Sequence, residues 1–376
     1  MKSVAAERLR TAGARNPVHP AGAATGDPGG ASAAGNAANA GDCDALWSLC
    51  LEIARLRRQG LPPSALARSG AAGGEKRAAA PRSVAGTGDG AGVDWHPGRG
   101  WVLAGEWSQD ARGMFDLYRP LLALEPGERY VLGHLGQSID GRIATSAGDS
   151  CFINGQENLV HMHRLRALCD AVVVGATTVL ADDPQLTTRL VPGPHATRVV
   201  IDPSQRLTPA CRVCADDRCP TLVARLPAQP PADPAMAGGA APVGTHAAHD
   251  DAPAHDEVAA HDDVAVQRCG RAEVIAAAAS GSGIDLRALL DTLAARGLHA
   301  ILVEGGGITV SRFLEQGLLD RLQIAIAPVI IGSGRQGLQL PEVLALNDCL
   351  RPSCRQRPMG PDTLWDLDLR AGAAGS

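Results

Sequence analysis

One stretch concentrates groups able to hold a phosphorylated ligand: Ala171 to Arg189, AVVVGATTVLADDPQLTTR. Its four opening residues, Ala171 to Val174, read as a buried strand that ends at Gly175. Beyond it come the hydroxyls of Thr177 and Thr178, a short turn over Val179 to Asp182, and the break Asp182-Asp183-Pro184. Pro184 biases Asp183 away from the right-handed helical region, so a tight loop is expected. Arg189 closes the stretch with a rigid fork of donors suited to a phosphate or carboxylate. A strand whose C-terminal end delivers Gly, Thr, Asp and Arg is how an open α/β sheet presents a ligand site. An ordinary strand-to-helix connection uses the same turn residues, and the stretch alone does not separate the two.

A second stretch pairs an apolar run, Ala300 to Val303, with Glu304, the glycines 305–307 and a helix over Ile308 to Gln316, ended by Gly317. Glycines let the backbone approach an anion, and a helix N-terminus offers free N–H groups. The pattern is neither GxGxxG nor a P-loop, because the spacing and the lysine are missing. Glu304, set between an apolar run and glycines, is read as a site acid rather than a cap. Cys211, Cys214 and Cys219 have one CxxC spacing and no second pair, so reduced surface thiols are expected rather than zinc. His249, His255 and His261 recur every six residues, each followed by Asp. Such a repeat binds metal weakly at best, and a solvated acidic loop is the plainer reading. No metal is expected.

The elements that must position these groups occupy only part of the 376 residues. Many of the 44 glycines and 26 prolines fall in the first hundred residues and in a middle segment. We therefore expect residues 1–120 to be a largely disordered low-complexity region with a short amphipathic helix near 45–58. Residues 130–370 should form one domain, interrupted by a disordered insertion over 226–280. Trp95, Trp101 and Trp107 recur at six-residue steps, which fit neither one helix face nor a known repeat. A net charge of −5 leaves no basic patch for nucleic acid. No apolar run is long enough to span a membrane, no secretory leader is evident at the start, and a cytoplasmic location is expected.

Within the domain, Tyr130–Leu135 reads as a strand leading into a turn at Asp140-Gly141. Asn154 with Glu157 resembles a capping box for a helix whose buried face carries Leu159, Met162, Leu165 and Cys169, with Arg166 off that stripe. Further strands are expected at Thr197–Ile201, which ends at Asp202-Pro203, and at Thr221–Ala224. Asp285 caps a helix over Leu286–Arg296 that stops at Gly297, and Gln323–Ile331 is a final long strand.

Taken in order, SIDGRIA, GDSCFINGQEN, RLRALCDAVVVGATTVLADDPQLTTR, VVIDP, ILVEGGG and IAIAPVIIGSG resemble the C-terminal reductase domain of bacterial bifunctional riboflavin-biosynthesis deaminase/reductases. That is a dihydrofolate-reductase-like family, and the resemblance covers about residues 130–226 and 284–368. It implies an α/β fold with a mixed, mainly parallel sheet flanked by helices. It also implies NADPH-dependent reduction of 5-amino-6-(5-phosphoribosylamino)uracil to its ribitylamino product, by hydride transfer to ribose C1′ after ring opening.

Carried over position by position, Gly136, Phe152, Thr178 and Asp182 match the family's nicotinamide-cofactor contacts. The loop from Gly306 through Gly307, Ile308 and Thr309 matches its pyrophosphate site. Ser150, Arg166, Leu186, Arg189 and Glu304 match its substrate contacts, and Glu304 and His134 are the candidates for proton handling and orientation. The chain departs from the family in four places. No zinc-deaminase signature precedes the domain, so a separate deaminase partner is expected. His134 stands where many relatives have Lys. Pro203 replaces a Ser near the cofactor 2′-phosphate, leaving Ser204 and Arg206 to hold it. The 226–280 insertion is long. A homodimer is expected by the same resemblance. The alternatives are a reductase of this fold acting on a related pyrimidine or pterin intermediate, or a non-catalytic metal- or partner-binding protein on a retired reductase fold.

Overall fold

The computed structural model describes residues 32–62, 82–85, 91–96, 98–150, 153–227, 267–281 and 283–370. The chain begins with helix α1 (Ser32–Arg58), strands β1 (Arg82–Ala85), β2 (Gly92–His96) and β3 (Gly100–Ala104), and helix α2 (Gln109–Leu122). Then follow β4 (Tyr130–Ser138), β5 (Arg142–Thr145), α3 (Gln156–Leu168), β6 (Ala171–Gly175), α4 (Ala176–Asp182), β7 (Thr197–Ile201), α5 (Arg212–Ala215) and β8 (Thr221–Arg225). After the insertion come β9 (Arg268–Cys269), β10 (Ala272–Ala276), β11 (Ala279–Ser280), β12 (Gly283–Ile284), α6 (Leu286–Ala295), β13 (Ala300–Glu304) and α7 (Gly307–Glu315). The chain closes with β14 (Arg321–Ala327), β15 (Gly334–Gln336), a 3₁₀ turn, β16 (Ser353–Met359) and β17 (Asp362–Asp368).

Ten strands make one sheet in the order β16-β17-β14-β4-β13-β6-β7-β8-β10-β9. From β14 to β10 every neighbouring pair is parallel, whereas β9 and the β16–β17 hairpin run antiparallel at the two edges. This is the mixed, mainly parallel sheet expected. The central strands are buried on both faces, which is why they read as continuous apolar runs rather than alternating ones. Each strand still deals its side chains to two sides. Leu132, Val172, Val174 and Leu302 pack toward α1, α2 and α3. Val131, Val173, Ile301 and Val303 pack toward α6 and α7.

Several expectations need correction. The N-terminal region is not largely disordered over its described part: α1 starts at Ser32, thirteen residues before the helix read at Ala45. Its apolar positions Leu46, Leu49, Cys50 and Ile53 join the same core as the sheet, and that burial orders the helix. The tryptophan spacing belongs to a hairpin, in which Trp95 lies opposite Trp101 in the β2–β3 register with ring centroids 5.2 Å apart. Buried Trp101 donates Nε1–H to Leu122 O, so its one polar group is satisfied.

The insertion is shorter than 226–280, because Ala272 to Ala276 forms β10, parallel to β8. Ala272 and Ile275 are buried there, a pattern hidden in an alanine-rich run. His249, His255 and His261 lie outside the described residues. Asn154 is not the cap of α3. Gly155 holds that position without a side-chain bond, and Asn154 Nδ2 donates instead to Ala325 O. Leu159 is exposed, and the buried face of α3 carries Asn158, His161 and Leu165. The strand at Gln323 ends at Ala327 and is not the last, since the polar edge hairpin follows. The cysteines are not mainly surface thiols: Cys50, Cys169, Cys214, Cys219 and Cys269 are buried.

Candidate active site

The register across β13, β4 and β14, which are parallel, and on to antiparallel β17 sets four polar side chains in one row. Glu304 lies opposite His134, His134 opposite Gln323, and Gln323 opposite Asp366. All four are buried beneath α3. Uncompensated polar groups there would be costly, and α3 supplies a partner to each of the first three. Arg166 grips Glu304 through two bonds of 2.7 Å, Nε to Oε1 and the second terminal nitrogen to Oε2. His134 Nε2 lies 3.1 Å from Asn158 Oδ1. His161 Nε2 lies 2.9 Å from Gln323 Oε1. At the far end Arg321 holds Asp366 by a buried bidentate pair.

This row opens onto a cavity of about 930 Å³, lined by His134 and Glu304 at one part of its wall. Burial pushes the His134 imidazole down to about 3, and the neighbouring His161 adds to that. At neutral pH His134 is therefore uncharged and acts as a hydrogen-bonding group, not a cationic acid. At Gly136, two residues along β4, a Cβ would lie 2.0 Å from Asn154 Oδ1, so any side chain there would displace Asn154.

The same cavity is lined by the glycine turn and the first residues of α7, Ile308 and Thr309 among them. Gly305 has φ +138°, a conformation that L side chains rarely adopt. Gly306 N–H donates to Thr178 Oγ1 at 2.9 Å, which ties the turn to α4. A Cβ on Gly307 would lie 1.7 Å from Gly337 O, so glycine is obligatory where the two loops cross. The first N–H groups of a helix have no intrahelical carbonyl partner, and they are the donor set a pyrophosphate needs. Pro203, Ser204 and Arg206 line the cavity as well, and Arg206 donates to Thr177 Oγ1 at 2.8 Å. Their loop is anchored from below by Asp202, which accepts from the N–H groups of Arg206 and Leu207 and pairs with Arg225. The volume, the crowded glycines and the free helix terminus fit a dinucleotide together with a second, smaller ligand.

The expected site residues thus fall into three groups. Glu304, His134, Gly136, Ser150, Thr178, Asp182, Ser204, Arg206, Gly306, Gly307, Ile308 and Thr309 line one cavity. Ser150 Oγ and Asp182 Oδ1 are 3.5 Å apart. Arg166 stands behind Glu304 and also donates to Thr187 O at 3.2 Å, outside the cavity lining. Leu186 is buried at φ +54° and Arg189 is exposed, and neither lines the cavity. Their loop is held by His163 Nδ1, which accepts from Arg189 N–H at 2.9 Å. Phe152 lies outside the described residues. The sequence reading missed Asn158, His161 and Gln323. A polar residue inside an apolar strand, such as Gln323 in RLQIAIA, was the signal available.

Residues 129–355 match the RibD C-terminal domain family. The chain belongs to it. Among curated relatives, the 2,5-diamino-6-ribosylamino-4(3H)-pyrimidinone 5′-phosphate reductase of Methanothermobacter thermautotrophicus is 35% identical over 206 residues, covering 54% of this chain and 79% of the relative. A reductase of the same name from Archaeoglobus fulgidus is 31% identical over 214 residues, covering 54% and 82%. Riboflavin biosynthesis protein RibD of Aquifex aeolicus is 28% identical over 206 residues, covering 54% of this chain and 48% of the relative, so the match spans about half of that longer protein. Among solved structures, RibD of Acinetobacter baumannii is similar with a TM-score of 0.49 at 21% identity, over 69% of this chain and 62% of that one. Reductases of this family imply a nicotinamide cofactor. Among the described residues, no group of three or more His, Cys, Asp or Glu could hold a metal ion, and no helix is long and apolar enough to cross a membrane.

Proposed function

We propose that this chain is an NADPH-dependent reductase of a ribosylaminopyrimidine 5′-phosphate. The observation that carries the reading is the single cavity shared by the Glu304–His134 end of the polar row and the glycine turn of α7. The nicotinamide, when bound, supplies the hydride. The chain's own residues do the rest. The turn at Gly306 to Thr309 binds the pyrophosphate, and Ser204 with Arg206 binds the 2′-phosphate that distinguishes NADPH. Glu304, fixed by Arg166, accepts hydrogen bonds from the ribose hydroxyls, and neutral His134 orients the reacting end. Catalysis is then chiefly positioning of two ligands in one dry cleft.

The sequence reading favours the deaminated uracil as substrate. The names of the two archaeal relatives favour the undeaminated diaminopyrimidinone. Both carry the same ribosyl phosphate, so a group reading the ring edge must choose between them. A site built for one hydrogen-bonding pattern can reject the other by about 10⁴-fold. The test is NADPH oxidation with each compound at matched concentration, with the ribitylamino product identified. We expect the uracil to be turned over faster. The opposite order would assign the archaeal substrate, and turnover of neither compound would overturn the reading. Arg206→Ala should raise KM for NADPH several-fold and leave NADH unaffected.

A further inference from the structure

The polar row is closed by a residue from outside the family-matched stretch. Tyr118, on α2, places its hydroxyl 2.7 Å from His161 Nδ1, with the two rings stacked at 5.6 Å. His161 therefore has a partner on each ring nitrogen, Tyr118 on one and Gln323 Oε1 on the other. A carboxamide oxygen only accepts, so His161 Nε2 must carry the proton and Nδ1 must accept from the tyrosine. His161 in turn packs against His134, with ring centroids 5.5 Å apart and planes tilted by 54°. His134 has one side-chain hydrogen bond, to Asn158, so its second constraint is this ring contact. Tyr118 is 1% exposed and His161 2%, so water cannot substitute for either partner.

From this arrangement we infer that Tyr118 is a positioning residue for the active site: its hydroxyl locks the tautomer and plane of His161, and His161 fixes the plane of His134 at the cavity wall. The N-terminal layer thereby supplies part of the site's support. This rests on the functional reading above only in assigning His134 a role in turnover.

The test compares the full-length chain with Tyr118→Phe and with Trp47→Phe. Trp47 is the tyrosine's neighbour in the same layer, at 5.8 Å ring to ring, and does not touch His161's hydrogen bonds. Imidazole nitrogen NMR at neutral pH reads the tautomers directly. In the wild type His161 should be the Nε2–H tautomer with Nδ1 hydrogen-bonded. Tyr118→Phe should abolish the Nδ1 signature and shift the His134 resonances, whereas Trp47→Phe should move neither. In turnover, Tyr118→Phe should lower kcat by roughly ten- to a hundredfold, the upper end being the cost of a group misplaced by about 1 Å, with KM for NADPH unchanged. A wild-type His161 in the Nδ1–H tautomer would overturn the inference even if the variant failed to fold. So would His134 resonances and kcat in Tyr118→Phe equal to those of Trp47→Phe. If the wild type turns over neither pyrimidine, the functional reading falls and the tautomer measurement alone decides.

Discussion

Arg166 and Glu304 form a buried bidentate pair whose side chains are 11% and 7% exposed. Removing one partner strands the other, at a cost of about 3–5 kcal/mol. Arg166→Ala should therefore lower the melting temperature sharply as well as abolish turnover. Arg166→Met combined with Glu304→Gln should recover much of the stability and none of the activity. The histidines make a second prediction at this scale. Burial holds His161 down to about 4, and burial with its neighbour His161 holds His134 down to about 3. In the unfolded chain a histidine titrates near 6.5. Between those values the unfolded state binds the extra protons, so folding stability is complete above about pH 6.5. It is lost as pH falls toward 4 for His161 and toward 3 for His134. Each group contributes about 1.4 kcal/mol per pH unit inside its window. Unfolding free energies from urea titrations at pH 8 and pH 5 should differ by about 2 kcal/mol per histidine beyond the carboxylate effect, and His161→Gln should shrink that difference.

Among the elements, the glycine turn before α7 is where sequence and structure agree most closely, and the reason is local. A run of apolar residues, a carboxylate, three glycines and a helix encode strand, turn and cap within sixteen residues. The same holds for Asp285, whose carboxylate accepts from Arg287 N–H and Ala288 N–H to start α6. The polar row was not legible, because its members come from four strands and only the register between those strands aligns them. Asn158 and His161 lay off the apolar stripe read for α3, because the strand positions beneath them, His134 and Gln323, are polar. β10 was lost in alanines, and β16 was missed because an exposed edge strand such as SCRQRPM shows no apolar face. Gly307 gives the element-scale prediction. Its missing Cβ lets Gly337 O cross, so Gly307→Ala must push the two loops apart. We expect the variant to fold and to bind NADPH at least tenfold more weakly by titration, because the N–H groups of α7 move with the turn. Gly317→Ala, at φ +61° with open space around it, should cost only stability.

For the molecule as a whole, the question is whether residues 129–370 stand alone, as the span of the family match suggests. The packing argues that they do not. α1 and α2 bury Leu46, Trp47, Ile53, Phe115, Leu121 and Leu122 in the same cluster as Leu132, Val172 and Leu302 of the sheet and Leu165 of α3. The last turn of α1 then locks onto the end of α3. Arg57 and Arg58 donate to Leu168 O, Ala167 O and Cys169 O, the carbonyls a helix C-terminus leaves open, and both pair with Asp170. Asp170 also accepts from Ala300 N–H, at the start of the strand that delivers Glu304. Deleting residues 1–128 would expose this apolar face and leave a buried carboxylate without its arginines. At about 1.5–3 kcal/mol for each large apolar side chain uncovered, the loss is comparable to the whole stability of an ordinary domain. The truncated chain should therefore be insoluble or a loosely packed state that binds a hydrophobic dye and lacks a cooperative thermal transition. Deleting only residues 1–31 should leave the melting temperature within a few degrees of the full chain. If the 129–376 fragment instead melted cooperatively near the full-length temperature and turned over substrate, the N-terminal layer would be an attachment, and Tyr118 could have no part in holding His161.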